Sequence, residues 1–382
     1  MKIGIDASPL GSKQRTGIGR CLHRILQVWS SINTDDEFYL ISHMGVYVDF
    51  ELPHNWHIVE YKLCTSHFAW YQVLYFYLPK LIKKYNLDVF WGTNYTLPYF
   101  LGKTKAFLSI YDLAIYKFPG IGEKSTQKKM DRFTPSSVQR ANGIITISKA
   151  SSEDIVAIFK TSKNKIFVNY IGGFSTTTKH FEGHQKVNKD LIFDESFCLF
   201  IGTIEPRKNL ITLIKAFEEY KEKSHSTVKL ILAGKKGWNC SPIYEKVLES
   251  KYRQDIIMPG FISNEDKQYL LSNAAAFLFP SLYEGFGIPI LEAMEYRLPV
   301  VTTQISSCPE VGGDAVYYLD DPNDSEKLSV LIGRILSLTA SEKSELNIKM
   351  VNQLKKFEGT ELEIELYNYI RNVNKECNLD DK

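Results

Sequence analysis

Short apolar runs that alternate with helical patterns constrain the fold of this chain most. In the first half these runs are KIGIDA, EFYLISH, LDVFWG, KAFLSIYD, GIITIS and KIFVNYIGG, and each ends in turn residues. The second half repeats the arrangement with FCLFIGTIE, VKLILAG, DIIMPGF, AAFLFPS and LPVVTT. Continuous apolar strands alternating with helices are typical of parallel sheets covered by helices. The sequence therefore predicts an α/β protein with two parallel-sheet units.

The length of the chain agrees with two units. Its 382 residues are long for one core, because a domain averages about 150 residues. We place the first unit at 1–172 and the second at 197–360. Residues 173–196 are polar and aperiodic, which predicts an interdomain linker. The last segment, 361–382, is predicted to be an amphipathic helix that can return to the first unit. Its apolar residues at helical spacing are Leu362, Ile364, Leu366, Tyr367 and Ile370.

Charge and cysteine content narrow the class of protein. Lys plus Arg (46) and Asp plus Glu (44) nearly cancel, so overall charge does not indicate a nucleic acid partner. The six cysteines are scattered without a CxxC pair, which favours reduced thiols and the cytoplasm. The N-terminus turns polar too early for a secretion signal. No stretch reaches the roughly 20 apolar residues of a membrane span.

The segment SHFAWYQVLYFYLPKLIKKY, residues 66–85, is aromatic at its start and basic at its end. One reading is a buried helix that leads into the strand LDVFWG. The other is a surface helix that rests on anionic lipid, through Trp70, Tyr71, Phe76, Lys80, Lys83 and Lys84. The sequence leaves both readings open.

The stretch FLFPSLYEGFGIPILEAME places a glycine-rich turn between a strand and a helix. Pro289 fits the first turn of that helix, and Gly285 and Gly287 let the backbone approach a ligand closely. Unpaired amides at a helix start attract an anion such as a diphosphate. Glu284 can accept hydrogen bonds from sugar hydroxyls, and Glu292 can bind a vicinal diol such as a ribose. A favourable helix-dipole position would explain Glu292 alone, but not the Gly-Phe-Gly turn.

A second motif, FIGTIEPRKNLITLIKAF, places Arg207 and Lys208 between a strand and a helix. Gly202 and Thr203 precede the turn, and Asn209 is predicted to cap the helix. Adjacent cations are often solvated surface residues. Here they follow a strand of a parallel sheet, where ligands bind, so they are candidates to contact phosphate oxygens, with Thr203 beside them.

A third motif, SPLGSKQRTGIGRCLHRIL, places Gly17 and Gly19 just before an amphipathic helix. It is half of a GxGxxG fingerprint, because the third glycine is missing and a long loop separates it from its strand. The motif is therefore a weak dinucleotide signal. It remains a candidate loop for the approach of backbone to a ligand phosphate.

Three segments together carry a family resemblance: GTIEPRKNL, PSLYEGFGIPILEAM and RLPVVTTQISSCPEVGGDA. They resemble the retaining, nucleotide-sugar-dependent glycosyltransferases with the GT-B fold, in the bacterial, mannosyltransferase-like group 1 with its E-x7-E element. The resemblance covers most of the C-terminal half and returns at TGIGR, NYTLP and YDLAIYKFP. It implies two Rossmann-like domains that face each other across a cleft.

The resemblance implies roles for residues of the glycine-rich turn. By it, Glu284 contacts the donor sugar and Glu292 contacts the nucleotide ribose. The amides of Gly285, Phe286 and Gly287 contact the sugar and the diphosphate.

Further donor contacts are implied at other loops. Arg207 and Lys208 match the pair that neutralises the diphosphate, and Ile262 matches the position that holds the base through its main chain. Gly17 would close over the phosphates from the N-terminal domain, with Gly19 in the same loop.

Two further residues are candidates for the chemistry. The family segment that corresponds to YDLAIYKFP usually begins His-Asp, so Asp112 matches and Tyr111 stands in place of histidine. A phenol is neutral near pH 7, so this departure puts a proton-carrier role at position 111 in question. Glu284 completes the catalytic candidates.

The sequence contains no Asp-x-Asp, and we expect neither a metal nor another cofactor. Front-face attack, in which the departing phosphate oxygen takes the acceptor proton, is implied by the family. The donor suggested by EPRKN and EGFGIPILEAM is GDP-mannose, with UDP-sugars as the alternative. The implied acceptor is a saccharide or lipid-linked saccharide at the inner membrane face, as in assembly of O-antigen or capsule.

Three other functions remain to be distinguished. Two carboxylates also suggest a glycoside hydrolase, but a hydrolase does not need the Arg-Lys loop. The TGIGR loop suggests a dinucleotide-dependent oxidoreductase, which the missing glycine disfavours. The departure at Tyr111 leaves open a catalytically inactive nucleotide-sugar sensor, which turnover of donor would separate from an enzyme.

Overall fold

The computed structural model describes residues 1–63, 69–118, 120, 124–181 and 187–376. The chain forms two compact units, one of Met1–Gly173 with Thr360–Lys382 and one of Phe174–Gly359. Each unit contains one parallel sheet with helices between its strands. The predicted fold class is therefore confirmed.

The first unit is built on a seven-stranded parallel sheet with the order β3-β2-β1-β4-β5-β6-β7. Its strands are β1 (Lys2–Asp6), β2 (Glu37–Ser42), β3 (Trp56–Glu60), β4 (Val89–Gly92), β5 (Lys105–Ser109), β6 (Gly143–Thr146) and β7 (Ile166–Val168). Its helices are α1 (Gly17–Trp29), α2 (Ala69–Gln72), α3 (Leu78–Tyr85), α4 (Ala114–Lys117), α5 (Lys124–Arg140) and α6 (Lys149–Phe159). The order reverses between β1 and β4, which is where open parallel sheets bind ligands.

The second unit is built on a six-stranded parallel sheet with the order β10-β9-β8-β11-β12-β13. Its strands are β8 (Phe197–Ile201), β9 (Lys229–Ala233), β10 (Ile256–Gly260), β11 (Ala276–Phe279), β12 (Val300–Thr303) and β13 (Tyr317–Leu319). Its helices are α7 (Leu210–Ser224), α8 (Ser241–Glu249), α9 (Asn264–Asn273), α10 (Ile288–Glu295), α11 (Cys308–Gly312), α12 (Ser325–Leu336) and α13 (Ala340–Leu354). Neighbouring strands β8 and β11 bring the Arg-Lys loop and the glycine-rich turn to one edge of the sheet.

The last helix, α14 (Glu361–Glu376), belongs to the first unit. Its buried face differs from the predicted one: Leu366, Tyr367 and Ile370 are buried as expected, but Ile364 is exposed and Glu363 is buried instead. Glu363 faces inward because its carboxylate pairs with Arg24 of α1, at 3.3 Å between Oε1 and Nε. An apolar pattern alone could not reveal this buried ion pair.

The described part of segment 173–196, which the sequence predicts as an interdomain linker, makes contacts with the second unit. The amide and hydroxyl of Thr176 donate to one carboxylate oxygen of Glu358, at 2.8 and 2.6 Å. Lys179 pairs with Glu295 at 2.7 Å between Nζ and Oε2, and Leu191 is buried. These contacts attach the segment to the second unit, although its composition is that of a linker.

The segment predicted at 66–85 is helical from Ala69 to Tyr85, with a π-helical turn between α2 and α3; residues 66–68 lie outside the described residues. One face packs on the core through Val73, Leu74, Leu78 and Ile82. Phe76, Lys80, Lys83 and Lys84 are exposed on the other face. The buried face agrees with the first reading, and contact of the exposed face with lipid stays a prediction. Among the described residues, no helix combines the length and the hydropathy needed to cross a bilayer.

Candidate active site

The glycine-rich turn of the second unit connects β11 to α10. Gly287 caps α10 with φ +106°, a left-handed conformation that favours glycine, and Pro289 lies in the first turn of the helix as predicted. No acidic residue lies in that first turn, so Glu292 does not serve to balance the helix dipole there. The local geometry leaves the start of α10 as a set of backbone amides suited to an anion.

Glu284 lies on this turn and contacts both predicted cations. Its Oε1 is 2.5 Å from Nζ of Lys208, and its Oε2 is 3.1 Å from Nη1 of Arg207. The side chains of Glu284 and Lys208 are both more than nine-tenths buried. Arg207 also pairs with Glu205, at 2.8 Å, and donates to the carbonyl of Tyr283 at 2.5 Å. The structure therefore brings Glu284, Arg207 and Lys208 together, as the two motifs predicted.

The electrostatics of this cluster keep Glu284 ionised. Burial alone would raise the pKa of Glu284, but the charges of Lys208 and Arg207 outweigh burial and lower that pKa to about 2. Burial also lowers the pKa of Lys208, and Glu284 opposes that change. A buried carboxylate and a buried ammonium at this distance stabilise each other's charged form.

Two serines fix the backbone of the turn. The hydroxyls of Ser306 and Ser307 donate to the carbonyl of Glu284, at 2.6 and 2.9 Å. The hydroxyl of Ser307 also donates to the carbonyl of Phe286 at 2.7 Å, and Phe286 is itself buried. Because these carbonyls accept hydrogen bonds from the two serines, the turn has a defined conformation before any ligand binds.

Loops after β8 and β9 lie beside the cations. A Cβ atom on Gly234 would lie 1.7 Å from the carbonyl oxygen of Gly202, so these two loops meet through glycine backbones. Thr203 is partly exposed beside this contact, and the amide of the next residue, Ile204, donates to the carbonyl of Lys235. Lys235 and its neighbour Lys236 are exposed, and they add positive charge to this edge of the sheet.

Asn209 does not cap α7 in the predicted way. It stands at the helix start with φ +58° and makes no side-chain hydrogen bond to the helix amides. Its amide group instead donates to the carbonyl of Pro322 at 2.6 Å. The residue fixes the loop that carries Arg207 and Lys208.

The second carboxylate of the E-x7-E element has a partner that the sequence did not indicate. Glu292 forms an ion pair with Lys267 of α9, and both side chains are about one-fifth exposed. Ile262 is partly exposed after β10, and its neighbour Phe261 is 79% exposed. Sequence reasoning missed Lys267 and Phe261, because neither an ion pair between two helices nor the exposure of a single aromatic residue leaves a pattern in the sequence.

The predicted glycines of the first unit have different roles. Thr16 caps α1, and its hydroxyl accepts from the amide of Gly19 at 3.2 Å. A Cβ atom on Gly19 would lie 2.6 Å from the carbonyl oxygen of Pro9, so Gly19 is explained by packing within the first unit. No atom lies within 4 Å of a Cβ built on Gly17, which leaves room for a ligand at that position.

The two catalytic candidates of the first unit are adjacent but differ in exposure. Asp112 is partly exposed, and its Oδ1 accepts from the amide of Ala114 at 3.0 Å. Tyr111 is buried, and burial raises its pKa well above the ordinary value. Burial therefore keeps the phenol protonated near neutral pH, which disfavours Tyr111 as a proton carrier.

A metal site would need several His, Cys, Asp or Glu side chains close together. No group of three or more such side chains in the described part of the chain is arranged for metal binding. The cations Arg207 and Lys208 are instead the positive groups beside Glu284.

Comparison with known proteins gives two kinds of match. A family model described as glycosyl transferases group 1 matches residues 184–357. The O-antigen chain mannosyltransferase B of Escherichia coli is 31% identical over 253 residues, which are 66% of this chain and 66% of that protein. The matched region thus spans just under two thirds of that relative.

Solved structures resemble the whole chain. A glycosyltransferase from Rickettsia africae has a TM-score of 0.69 at 15% identity and covers 98% of both chains. HepE of Anabaena in complex with UDP-glucose has a TM-score of 0.70 at 15% identity, covering 97% of this chain and 99% of that one. At such identities the likeness is one of fold.

Proposed function

Because the chain belongs to the group 1 glycosyltransferases and has their GT-B fold, we propose that it is a mannosyltransferase of O-antigen or capsule synthesis. Its donor is GDP-mannose, and its acceptor is a saccharide or a lipid-linked saccharide. The mannosyl group of the donor rests on the name of the E. coli relative, and GDP as its nucleotide rests on the sequence context of the two motifs. The cluster of Glu284, Arg207 and Lys208 at the start of α10 is the observation that carries the proposal.

The donor binds to the second unit, with its diphosphate beside the start of α10. Arg207 and Lys208 are balanced by Glu205 and Glu284, so the four side chains together carry no net charge. The backbone amides of α10 and the exposed Lys235 and Lys236 must therefore contribute to diphosphate binding. Glu292 accepts from the ribose hydroxyls next to Lys267.

Transfer breaks the bond between the anomeric carbon and the diphosphate oxygen and forms a bond from that carbon to the acceptor oxygen. The departing phosphate oxygen takes the acceptor proton, with retention of configuration. Arg207 and Lys208 stabilise the charge on the leaving diphosphate, and they do so without a divalent ion. Glu284 orients the donor sugar and holds the two cations in place.

The lowered pKa of Glu284 excludes it as the general acid of the hydrolase alternative. A glycoside hydrolase needs one carboxylic acid that is protonated near neutral pH. Glu284 has its pKa lowered to about 2, so it cannot donate a proton at pH 7. Its charged form is suited to accepting hydrogen bonds from sugar hydroxyls.

Thermal unfolding in the presence of nucleotides tests the donor. We expect GDP-mannose to stabilise the protein by about 2.7 kcal/mol at 100 times its dissociation constant, and UDP or ADP sugars to stabilise it less at equal concentration. Stronger stabilisation by a UDP-sugar would overturn the choice of donor. If no nucleotide stabilised the protein, the whole proposal would fail. If a nucleotide bound but no GDP were released in the presence of acceptor, the protein would be a sensor and not an enzyme.

We also propose that the exposed side of the helix at 69–85 rests on the inner membrane face. Phe76 is 70% exposed and Phe100 is 61% exposed, and Lys80, Lys83 and Lys84 are exposed beside them. Aromatic and basic side chains on one face suit an interface of anionic lipid. Phe76→Ser with Lys83→Ala is expected to release the protein from phosphatidylglycerol vesicles in a sedimentation assay, whereas Lys163→Ala is not. Equal sedimentation of both variants would contradict this membrane contact.

A further inference from the structure

Glu205 is a charged side chain of the second unit to which the proposed function gives no role in the reaction. It follows β8 in an extended conformation and precedes the short helical turn Pro206–Lys208. It is only 8% exposed, in part because the loop after β9 packs against it: a Cβ atom on Gly237 would lie 3.0 Å from the Cβ atom of Glu205. Any effect that Glu205 has on a bound ligand must therefore pass through its neighbours.

The guanidinium of Arg207 is the neighbour that Glu205 holds. Its Nε donates to Oε1 of Glu205 at 3.0 Å, and its Nη2 lies 2.8 Å from the same oxygen. Its Nη1 donates to the carbonyl of Tyr283 at 2.5 Å and lies 3.1 Å from Oε2 of Glu284. Glu205 thus binds one side of the guanidinium and the glycine-rich turn binds the other, which fixes the orientation of Arg207.

The negative charge of Glu205 is not needed to satisfy the hydrogen bonds of Arg207. A buried N–H group needs an acceptor, and a neutral amide oxygen can provide one. A carboxylate also cancels the charge of the guanidinium, in a site where positive charge strengthens the binding of an anion. The charge of Glu205 therefore opposes diphosphate binding, although a diphosphate is the proposed ligand.

The charge of the diphosphate changes during sugar transfer. In a nucleotide-sugar, each of the two phosphates carries one negative charge. When the bond to the anomeric carbon breaks, the departing oxygen takes the acceptor proton, and the terminal phosphate becomes a monoester. The second pKa of a phosphate monoester is about 6, so near pH 7 this proton passes to water and the product carries about one more negative charge than the donor. A site with excess positive charge would hold the product more tightly than the donor and slow its release.

We propose that Glu205 is a positioning residue that promotes product release: by neutralising Arg207, it prevents the site from retaining the nucleoside diphosphate that transfer forms. It orients the guanidinium toward the glycine-rich turn and limits the positive charge that the diphosphate meets. The effect is larger on the product than on the donor, because the product has the larger negative charge. This inference rests on the proposed function, since it needs a nucleotide-sugar donor and its diphosphate product.

Glu205→Gln tests the proposal, because glutamine keeps the length of the side chain and an acceptor oxygen for Arg207 but removes the charge. Dissociation constants of GDP, GDP-mannose and guanosine are measured by calorimetry on the full chain. We expect the variant to bind GDP about tenfold more tightly than the wild type, the order of one additional charge interaction within a protein. GDP-mannose should gain less than GDP, and the affinity for guanosine, which has no phosphate, should not change.

Three further variants separate charge from packing. Glu205→Asp keeps the charge on a shorter side chain, so its GDP affinity should stay near the wild-type value. Glu205→Ser removes the charge with a side chain small enough for the same space, so it should also tighten GDP binding and repeats the test if the glutamine variant does not fold. Glu345→Gln removes one negative charge from an exposed position of α13 and should leave all three affinities unchanged.

The outcomes separate this inference from the proposed function. If neither GDP nor UDP binds the wild-type protein, the proposed function fails and this inference fails with it; if UDP binds instead of GDP, the same ratios are expected for UDP, its sugar and uridine. If the nucleotide binds the wild type but binds Glu205→Gln no more tightly, the inference is wrong and the proposed function stands. An equal gain for the diphosphate and the nucleoside would also overturn the inference, because it would show a change of shape and not of charge. An equal gain for GDP and GDP-mannose would contradict the role in product release.

Discussion

Glu284→Gln is expected to lower the rate of sugar transfer by about 10²–10³-fold, the effect of removing one group placed for the transition state. Nucleotide affinity should change little, because the groups that we propose contact the diphosphate, Arg207, Lys208 and the α10 amides, remain. The physical reason is that Gln accepts from the donor sugar only as a neutral amide and lacks the negative charge of the carboxylate. The measurement is kcat for release of GDP, together with the dissociation constant of GDP.

Glu292→Gln provides the matched control for this prediction. Both substitutions remove one carboxylate of the E-x7-E element, but Glu292 is the one that we propose contacts the ribose. We expect Glu292→Gln to weaken GDP affinity about tenfold, as loss of a hydrogen bond to a charged group does, with a smaller effect on kcat. If both variants lost nucleotide affinity equally and kept their turnover, the roles assigned to the two carboxylates would be wrong.

The fold could be predicted from the sequence because parallel strands are buried on both faces. Their residues form continuous apolar runs, such as the buried strand Phe277–Phe279, and each run ends where a loop begins. The start of α10 was also predictable, since Pro289 and Gly287 are explained by local backbone conformation alone. These features depend on near neighbours in the chain, which is why a single sequence reveals them.

Contacts between distant residues could not be predicted in this way. The sequence indicated no role for Glu205, but it balances Arg207, and Ser307 fixes a turn that lies 21 residues before it. Glu363 replaces Ile364 on the buried face of α14 because of Arg24, which is 339 positions away. Ion pairs and hydrogen bonds of this kind leave no period in the sequence.

Glycines show the same division between local and distant causes. Gly19 was predicted to contact a ligand because its spacing matches part of a phosphate-binding motif. The structure explains it by the carbonyl of Pro9, which is close in space. Gly17 has open space where a Cβ atom would lie, and its predicted contact with a ligand stays a prediction.

Lys208→Met is expected to reduce the free energy of unfolding by about 3–5 kcal/mol, because it leaves the buried Glu284 without its closest cation. Methionine retains the length of the side chain, so loss of packing contributes little. The measurement is calorimetric unfolding of the full chain at neutral pH. Lys267→Met is the control, since that lysine forms a more exposed ion pair with Glu292. If both variants lost the same free energy of unfolding, the loss in Lys208→Met could not be explained by leaving a buried carboxylate without its cation.

The double variant Lys208→Met with Glu284→Gln shows whether the pair itself stabilises the fold. Replacing both members of a buried ion pair is often neutral, so we expect stability near the wild-type value and no recovery of transfer.

The double variant should also resist acid better. Glu284 has a folded pKa of about 2, below its ordinary 4.5, so its stabilising contribution is present above pH 4.5 and is lost as pH falls towards 2. The wild-type protein should lose about 3 kcal/mol over that window from this group. If the double variant lost stability in parallel with the wild type, the acid sensitivity would belong to other carboxylates.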